Sequence, residues 1–159
     1  MSKIVQRKRE FFFGRCEIHN ENPLSLSLID FQRDFIINTT SALAVAREAT
    51  KGFEQIPESA SKTFIHAGNI LNTTTMPPFL SLGLGKSAAA YFIQHAAVAY
   101  SDRGFKFYYA DERNPDGSNA SRGISGEAHA KFYLQLSETK SQGSWHQTFV
   151  KDIGYKQFS

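Results

Sequence analysis

Residues Leu80–Phe92 read LSLGLGKSAAAYF, and their centre, Gly83-Leu-Gly-Lys-Ser87, resembles the end of a phosphate-binding loop. Such a loop needs G-x-x-x-x-G-K-[ST], placed directly after a strand and opening a helix. Counting back from Gly85-Lys86-Ser87, the first glycine belongs at position 80, where Leu80 stands. The residues just before it include Pro77-Pro78, a loop signal rather than a strand, and Asp111 is a single loop carboxylate to offer a magnesium ion. The phosphate-loop reading fails, and Lys86 needs another explanation.

Working outward, Lys86–Tyr100 is interrupted only by Gln94, His95 and the hydroxyls of Tyr91 and Tyr100. That surface predicts a helix buried on most sides. Upstream, Thr63-Phe-Ile-His-Ala67 is a short apolar run bounded by Gly68-Asn69, which reads as a buried strand. Further upstream, Ser27-Leu-Ile-Asp30 has capping-box spacing, and Phe31, Phe35, Ala42, Val45 and Ala49 recur on one helical face. Asn38 fills the missing step of that stripe, and Gly52 is its expected end. Downstream, Asp102-Arg-Gly104 turns the chain into a second strand, Phe105–Tyr109, followed by a polar solvated loop over Asp111–Gly123. A helix over Ile124–Ser137 and a strand over Trp145–Val150 complete the order. Helices alternating with strands predict parallel βαβ units. The expected fold class is α/β, a partial Rossmann-like three-layer αβα domain with a short, mainly parallel sheet. Residues 1–22 stand apart as an N-terminal segment and 23–159 as the domain, with Lys8–Ile18 a candidate fourth strand.

With 159 residues, 41% hydrophobic and 21% charged, the chain has the size and balance of one globular domain, and its 13% aromatic share argues against disorder. The net charge of +3 comes largely from Lys3, Arg7, Lys8, Arg9 and Arg15, a basic run that reads as a solvated tail and not a nucleic-acid interface. The single Cys16 excludes an internal disulfide and a thiolate zinc site. No apolar run reaches the length of a membrane span, and Met1–Arg15 lacks a secretory apolar core, so a cytoplasmic protein with no membrane partner is expected. His19, His66, His95, His129 and His146 show no metal-ligand spacing, and Asp111, Glu112, Asp116 and Glu127 no calcium-loop spacing, so no metal is expected.

A helix with an Asn in its buried stripe, then a strand, a loop, and a Lys opening a buried helix resembles the second half of the short-chain dehydrogenases/reductases. The likeness covers roughly 23–158 and is closest to a divergent fungal-type branch, through Thr63-Phe-Ile-His-Ala-Gly-Asn69, Gly85-Lys86-Ser87, Asp111-Glu-Arg113, Ile124-Ser-Gly126 with His129, and the ending Trp145–Phe158. The resemblance implies an NAD(P)-dependent oxidoreductase lineage, and assigns the family's catalytic positions to Asn38, Asn69 and Lys86, with Lys86 also the cofactor-binding position. In the family a Ser occupies the strand end and a Tyr precedes the Lys by four; here Asn69 and Leu82 hold those places. The family's glycine-rich dinucleotide turn has no counterpart before residue 27, where Gly14 is the sole glycine. The expectation is therefore a truncated, catalytically impaired relative. The alternatives are an oligomerisation or binding module, or an oxidoreductase that takes its missing N-terminal half from another chain. The resemblance further implies a homo-oligomer formed through the helices at 28–52 and 86–100.

Overall fold

The strand that organises the molecule, β2 (Phe105–Arg113), is buried at all nine positions. In the computed structural model, which describes residues 22–158, it lies between β1 (Lys62–Ala67) and β3 (His146–Val150), parallel to both. A central parallel strand covered on both faces needs apolar groups on both, and FKFYYA supplies them. A short β4 (Gly154–Tyr155) adds antiparallel to β3, giving the order β1-β2-β3-β4. Two residues are too few to leave an alternation in the sequence, so β4 was not anticipated.

One face of β2 sends Phe105, Phe107 and Tyr109 against Ala90, Ile93 and Ala97 of α3 (Leu80–Ala99), with Phe53 and Phe64 alongside. The opposite face packs Tyr108 and Ala110 against Phe132 and Leu136 of α4 (Gly126–Glu138), where Phe132 stacks on Phe149 at 4.4 Å. The result is the three-layer α/β arrangement expected from the sequence. Among the described residues no helix is long and apolar enough to cross a membrane.

Three boundaries differ from expectation. The first helix starts at Leu28 as read, but the Ser27 side chain makes no capping bond, and the helix continues past Gly52. It comprises α1 (Leu28–Phe35), a π turn (Ile36–Thr40) and α2 (Ser41–Glu54). Asn38 and Ala42 are buried as the stripe predicts, while Asp34, Thr39 and Ala46, which the apolar stripe omitted, are buried beside them. Helix α3 begins at Leu80, six residues before the expected start, because Pro77-Pro78 forms a 3₁₀ turn running straight into it. Pro favours the start of a helix, where its missing N–H costs nothing. Gly83 and Gly85 are thus interior helical residues, and Lys86, expected to open the helix, is buried in its second turn. Gly85 lets the helices approach: a Cβ there would lie 3.1 Å from Asn38 Cβ and 3.2 Å from Thr39 Oγ1. Thr39 Oγ1 donates to the Gly85 carbonyl at 3.1 Å, and Ser81 Oγ to Asp34 Oδ2 at 2.7 Å, so a polar seam fixes α3 to α1 and the π turn.

The third difference is the largest. Strand β2 runs to Arg113, so Asp111, Glu112 and Arg113 are not a solvated loop but a buried strand end. The candidate strand over Lys8–Ile18, like all of residues 1–21, lies outside the described residues.

Candidate functional site

In parallel α/β sheets ligands gather beyond the carboxyl ends of the strands. At that end of β1 the chain runs Ala67-Gly68-Asn69, and each residue is held differently. The Lys86 ammonium, coming down from α3, donates to the Ala67 carbonyl at 3.2 Å. Gly68 N–H donates to the Ala110 carbonyl of β2 at 2.7 Å. The Tyr109 hydroxyl donates to the Asn69 carbonyl at 2.9 Å and accepts from the Asn69 N–H at 3.1 Å. Asn69 Oδ1 in turn accepts from Leu71 N–H at 3.0 Å, capping a one-turn 3₁₀ helix.

Asn38 enters from the π turn, its Nδ2 donating to the Asp34 carbonyl at 2.9 Å. Its contact with Gly85 sets it beside the turn that carries Lys86. A π turn displaces the helix register at the residue that a site uses, and such turns concentrate at functional positions. Lys86 and Asn69 thus lie at the β1 end, Lys86 through the Ala67 carbonyl and Asn69 two residues beyond it, while Asn38 packs against Gly85 on the helix side. Leu82 is half-buried, one turn before Lys86 on the same helix.

The sequence reading missed the second half of this cluster. Arg113 Nε donates to Asp111 Oδ2 at 2.5 Å, and Arg113 NH1 to the Gly117 carbonyl at 2.9 Å. On the other face of β2, Glu112 Oε2 accepts from Ser125 N–H at 2.8 Å, at the start of α4, and lies 3.1 Å from His129 Nδ1. Three consecutive charges resemble a loop because a buried charge is expensive unless paired. Here each has its partner. The available signal was the i, i+2 spacing of Asp111 and Arg113, which places opposite charges on one face of a strand.

Burial controls the electrostatics. It lowers the Lys86 pKa to about 8, against the opposing pull of Asp111. It raises Asp111 to about 6, although the Arg113 guanidinium works the other way. His66, on β1 with its ring 5.6 Å from Tyr109, is pushed down to about 3, first by burial and then by the Lys86 charge. Burial also raises the Tyr109 phenol above its ordinary range.

No protein-family model matches the chain. It is 52% identical over 138 residues to a short chain dehydrogenase/reductase from Cryptosporiopsis sp. (strain 8999), a match that takes in 87% of this chain and 56% of that relative. The chain thus spans about half the length of the curated relative it matches. Among solved structures, a 3-oxoacyl-[acyl-carrier protein] reductase from Brucella melitensis superposes with TM-score 0.59 at 13% identity, over 84% of this chain and 51% of that one. The 4-hydroxyisoleucine dehydrogenase solved with NADH gives 0.65 at 14%, over 92% and 68%. The angucycline C-6 ketoreductase LanV, solved with bound NADP, gives 0.55 at 17%, over 82% and 47%. These structures share the fold, and the curated relative supplies the sequence kinship: the chain is a relative of the short-chain dehydrogenases/reductases, of oxidoreductase lineage, matched over part of their length.

Proposed function

We propose that this chain descends from an NAD(P)-dependent carbonyl or alcohol oxidoreductase and does not itself perform hydride transfer. The observation that carries the reading is Leu82, one helical turn before Lys86, where the resemblance places the proton-donating Tyr. A leucine has no proton to exchange, and positioned acid–base catalysis supplies about 10²–10⁴-fold in rate. The phenol that the fold does bring to this strand end belongs to Tyr109, whose hydroxyl is bonded on both sides to the Asn69 backbone. The residues present also fit a nicotinamide nucleotide poorly. Lys86 is 7% exposed with its ammonium on the Ala67 carbonyl, so it has little surface to offer a ribose. The test is turnover of NADPH with a panel of aldehydes and ketones. No rate above the protein-free background is expected; a rate that vanishes in Lys86→Ala would overturn the reading.

A second reading, a self-associating module, rests on a separate observation. Between α2 and α3 runs a groove of about 640 Å³ lined by Leu43, Arg47, Tyr91, Phe92, His95 and Tyr100. After Lys86, α3 carries no Lys, Arg, Asp or Glu, and Tyr91 and Val98 are 70% and 74% exposed. Exposed apolar residues such as Tyr91 and Val98 on a charge-free helix face mark interfaces, and a second copy bringing the same α3 face is the partner proposed. Light scattering should give a dimer or higher species that Tyr91→Glu converts to monomer; a monomeric native chain at micromolar concentration would exclude it.

A further inference from the structure

We propose that this chain closes the free edge of β1 with its own residues 8–18, added as one more strand parallel to β1. Those residues lie outside the described ones, so the inference stands on the edge itself and on where the chain enters the structure. It goes beyond the function proposed above and does not depend on it.

β1 stands at the end of the sheet and, among the described residues, pairs with β2 alone. Along a strand, successive residues turn their N–H and C=O groups to opposite edges. Gly68 N–H reaches the Ala110 carbonyl of β2, so the even-numbered residues of β1 face β2, while Thr63, Ile65 and Ala67 face outward. Of these outward groups the Ala67 carbonyl is taken, by Lys86 Nζ at 3.2 Å. The strip below it, at Thr63 and Ile65, is an open ladder flanked by helices, with Phe64 packed on the α3 side and Ile65 on the α4 side. A strand covered in this way on both faces has the character of a sheet interior. Its sequence, KTFIHA, has no proline and places its lysine at the start, so little in it blunts an edge.

The entry point selects the occupant. Pro23–Ser25 packs against Pro77–Phe79, the turn that runs straight into α3. α3 starts above the carboxyl end of β1, where its second turn delivers Lys86 to Ala67, so residues 1–21 join the structure at that end. A strand that leads into α1 from there runs in the direction of β1. The hand agrees. Phe53 of α2 packs on Phe105 and Phe107, the face of β2 that α3 covers. A strand at the free edge, followed by α1–α2 and β1, therefore takes the same step across the same face as β1, α3 and β2. Both crossovers then share one hand, as parallel units do. Length and composition agree as well. Spanning β1 takes about 20 Å of extended chain, six or so residues. The segment offers eleven, with Phe11-Phe12-Phe13 and Ile18 as strand formers.

Residue-resolved amide exchange on the full chain reads the edge directly. The Thr63 and Ile65 amides should exchange at least about tenfold slower in the native chain than in Phe12→Pro/Phe13→Pro, which removes a ladder donor in either register. Tyr108, on the central β2, should keep its protection in both proteins, which shows that the fold survives. A short bismaleimide supplies the second measurement, because Cys16 is the chain's single cysteine and lies within the segment. In dilute protein, Cys16 should be joined within one chain to Ala67→Cys or Ile65→Cys, and not to Ile153→Cys in the turn after β3. Thr63 and Ile65 amides that exchange equally in the native and double-proline chains overturn the inference. So does a crosslink that forms only between two chains, which assigns the edge to a second copy, or one that reaches Ile153→Cys as readily as β1. If the double-proline chain unfolds, the crosslink alone decides.

Discussion

Gly68→Ala lowers the unfolding free energy by about 3 kcal/mol, read as a lower urea midpoint at unchanged slope. A Cβ at this position falls on the Tyr109 ring, within 2.6 Å of Cδ1 and closer still to Cε1 and Cζ. The ring has nowhere to go. Tyr109 is 0% exposed, its ring lies between His66 and His146 at 5.6 Å from each, and its hydroxyl is bonded to both backbone groups of Asn69. Moving it aside breaks those bonds and disturbs a cross-strand row set by the register His66↔Tyr109↔His146. The effect is steric, since Gly68 is not among the glycines with positive φ. In a Tyr109→Leu background, where the clashing ring edge is gone, Gly68→Ala should therefore cost under about 1 kcal/mol. Gly52→Ala, with open space at its Cβ inside α2, is the matched control and should not destabilise. A loss below about 1 kcal/mol for Gly68→Ala alone would show that the strand end yields easily.

The elements read most accurately are those whose periodicity is set by packing against the sheet. The stripe through Asn38 and Ala42, the run Thr63–Ala67 and the apolar length of α3 each carry their burial in their spacing. The failures have physical causes. Gly83 and Gly85 look like loop residues until the approach of the π turn to α3 explains why a side chain is excluded at Gly85. The π turn leaves no mark in apolar spacing, because its buried residues Asn38 and Thr39 are polar. Asp111-Glu-Arg113 reads as solvent-exposed because local composition cannot show that each charge finds its partner, two of them on other elements, at Gly117 and at the start of α4. For the site, order alone brought Asn69 and Lys86 to the β1 end, while Asn38 packs against Gly85 on the helix side. The clamp of Tyr109 on Asn69 was not legible, since Tyr109 reads as one more core aromatic, and forty residues separate the two.

Asp111→Ala is expected to destabilise the fold by about 3 kcal/mol at neutral pH, in the range for breaking a buried ion pair from one side. Arg113, 7% exposed, would keep its bond to the Gly117 carbonyl but lose its counter-ion, and Lys86 would lose the one negative charge favouring its ammonium. The pH dependence gives a second, independent check. Burial raises the Asp111 carboxyl to about 6, so between the ordinary value of 3.8 and about 6 the folded chain binds this proton more tightly than the unfolded chain. The stability from this group is then fully present below 3.8 and is lost as pH rises through about 6. The difference between native and Asp111→Ala proteins should accordingly widen as pH falls from about 6 toward 4, by at most about 1.4 kcal/mol per unit. Asp111→Ala/Arg113→Leu removes both charges together and should recover most of the loss, because the penalty lies in the orphaned guanidinium and not in the missing carboxylate. If the double variant is as unstable as the single one, the ion pair is not what holds this strand end. The carboxyl end of β2 would then owe its order to Glu112 and the start of α4 alone.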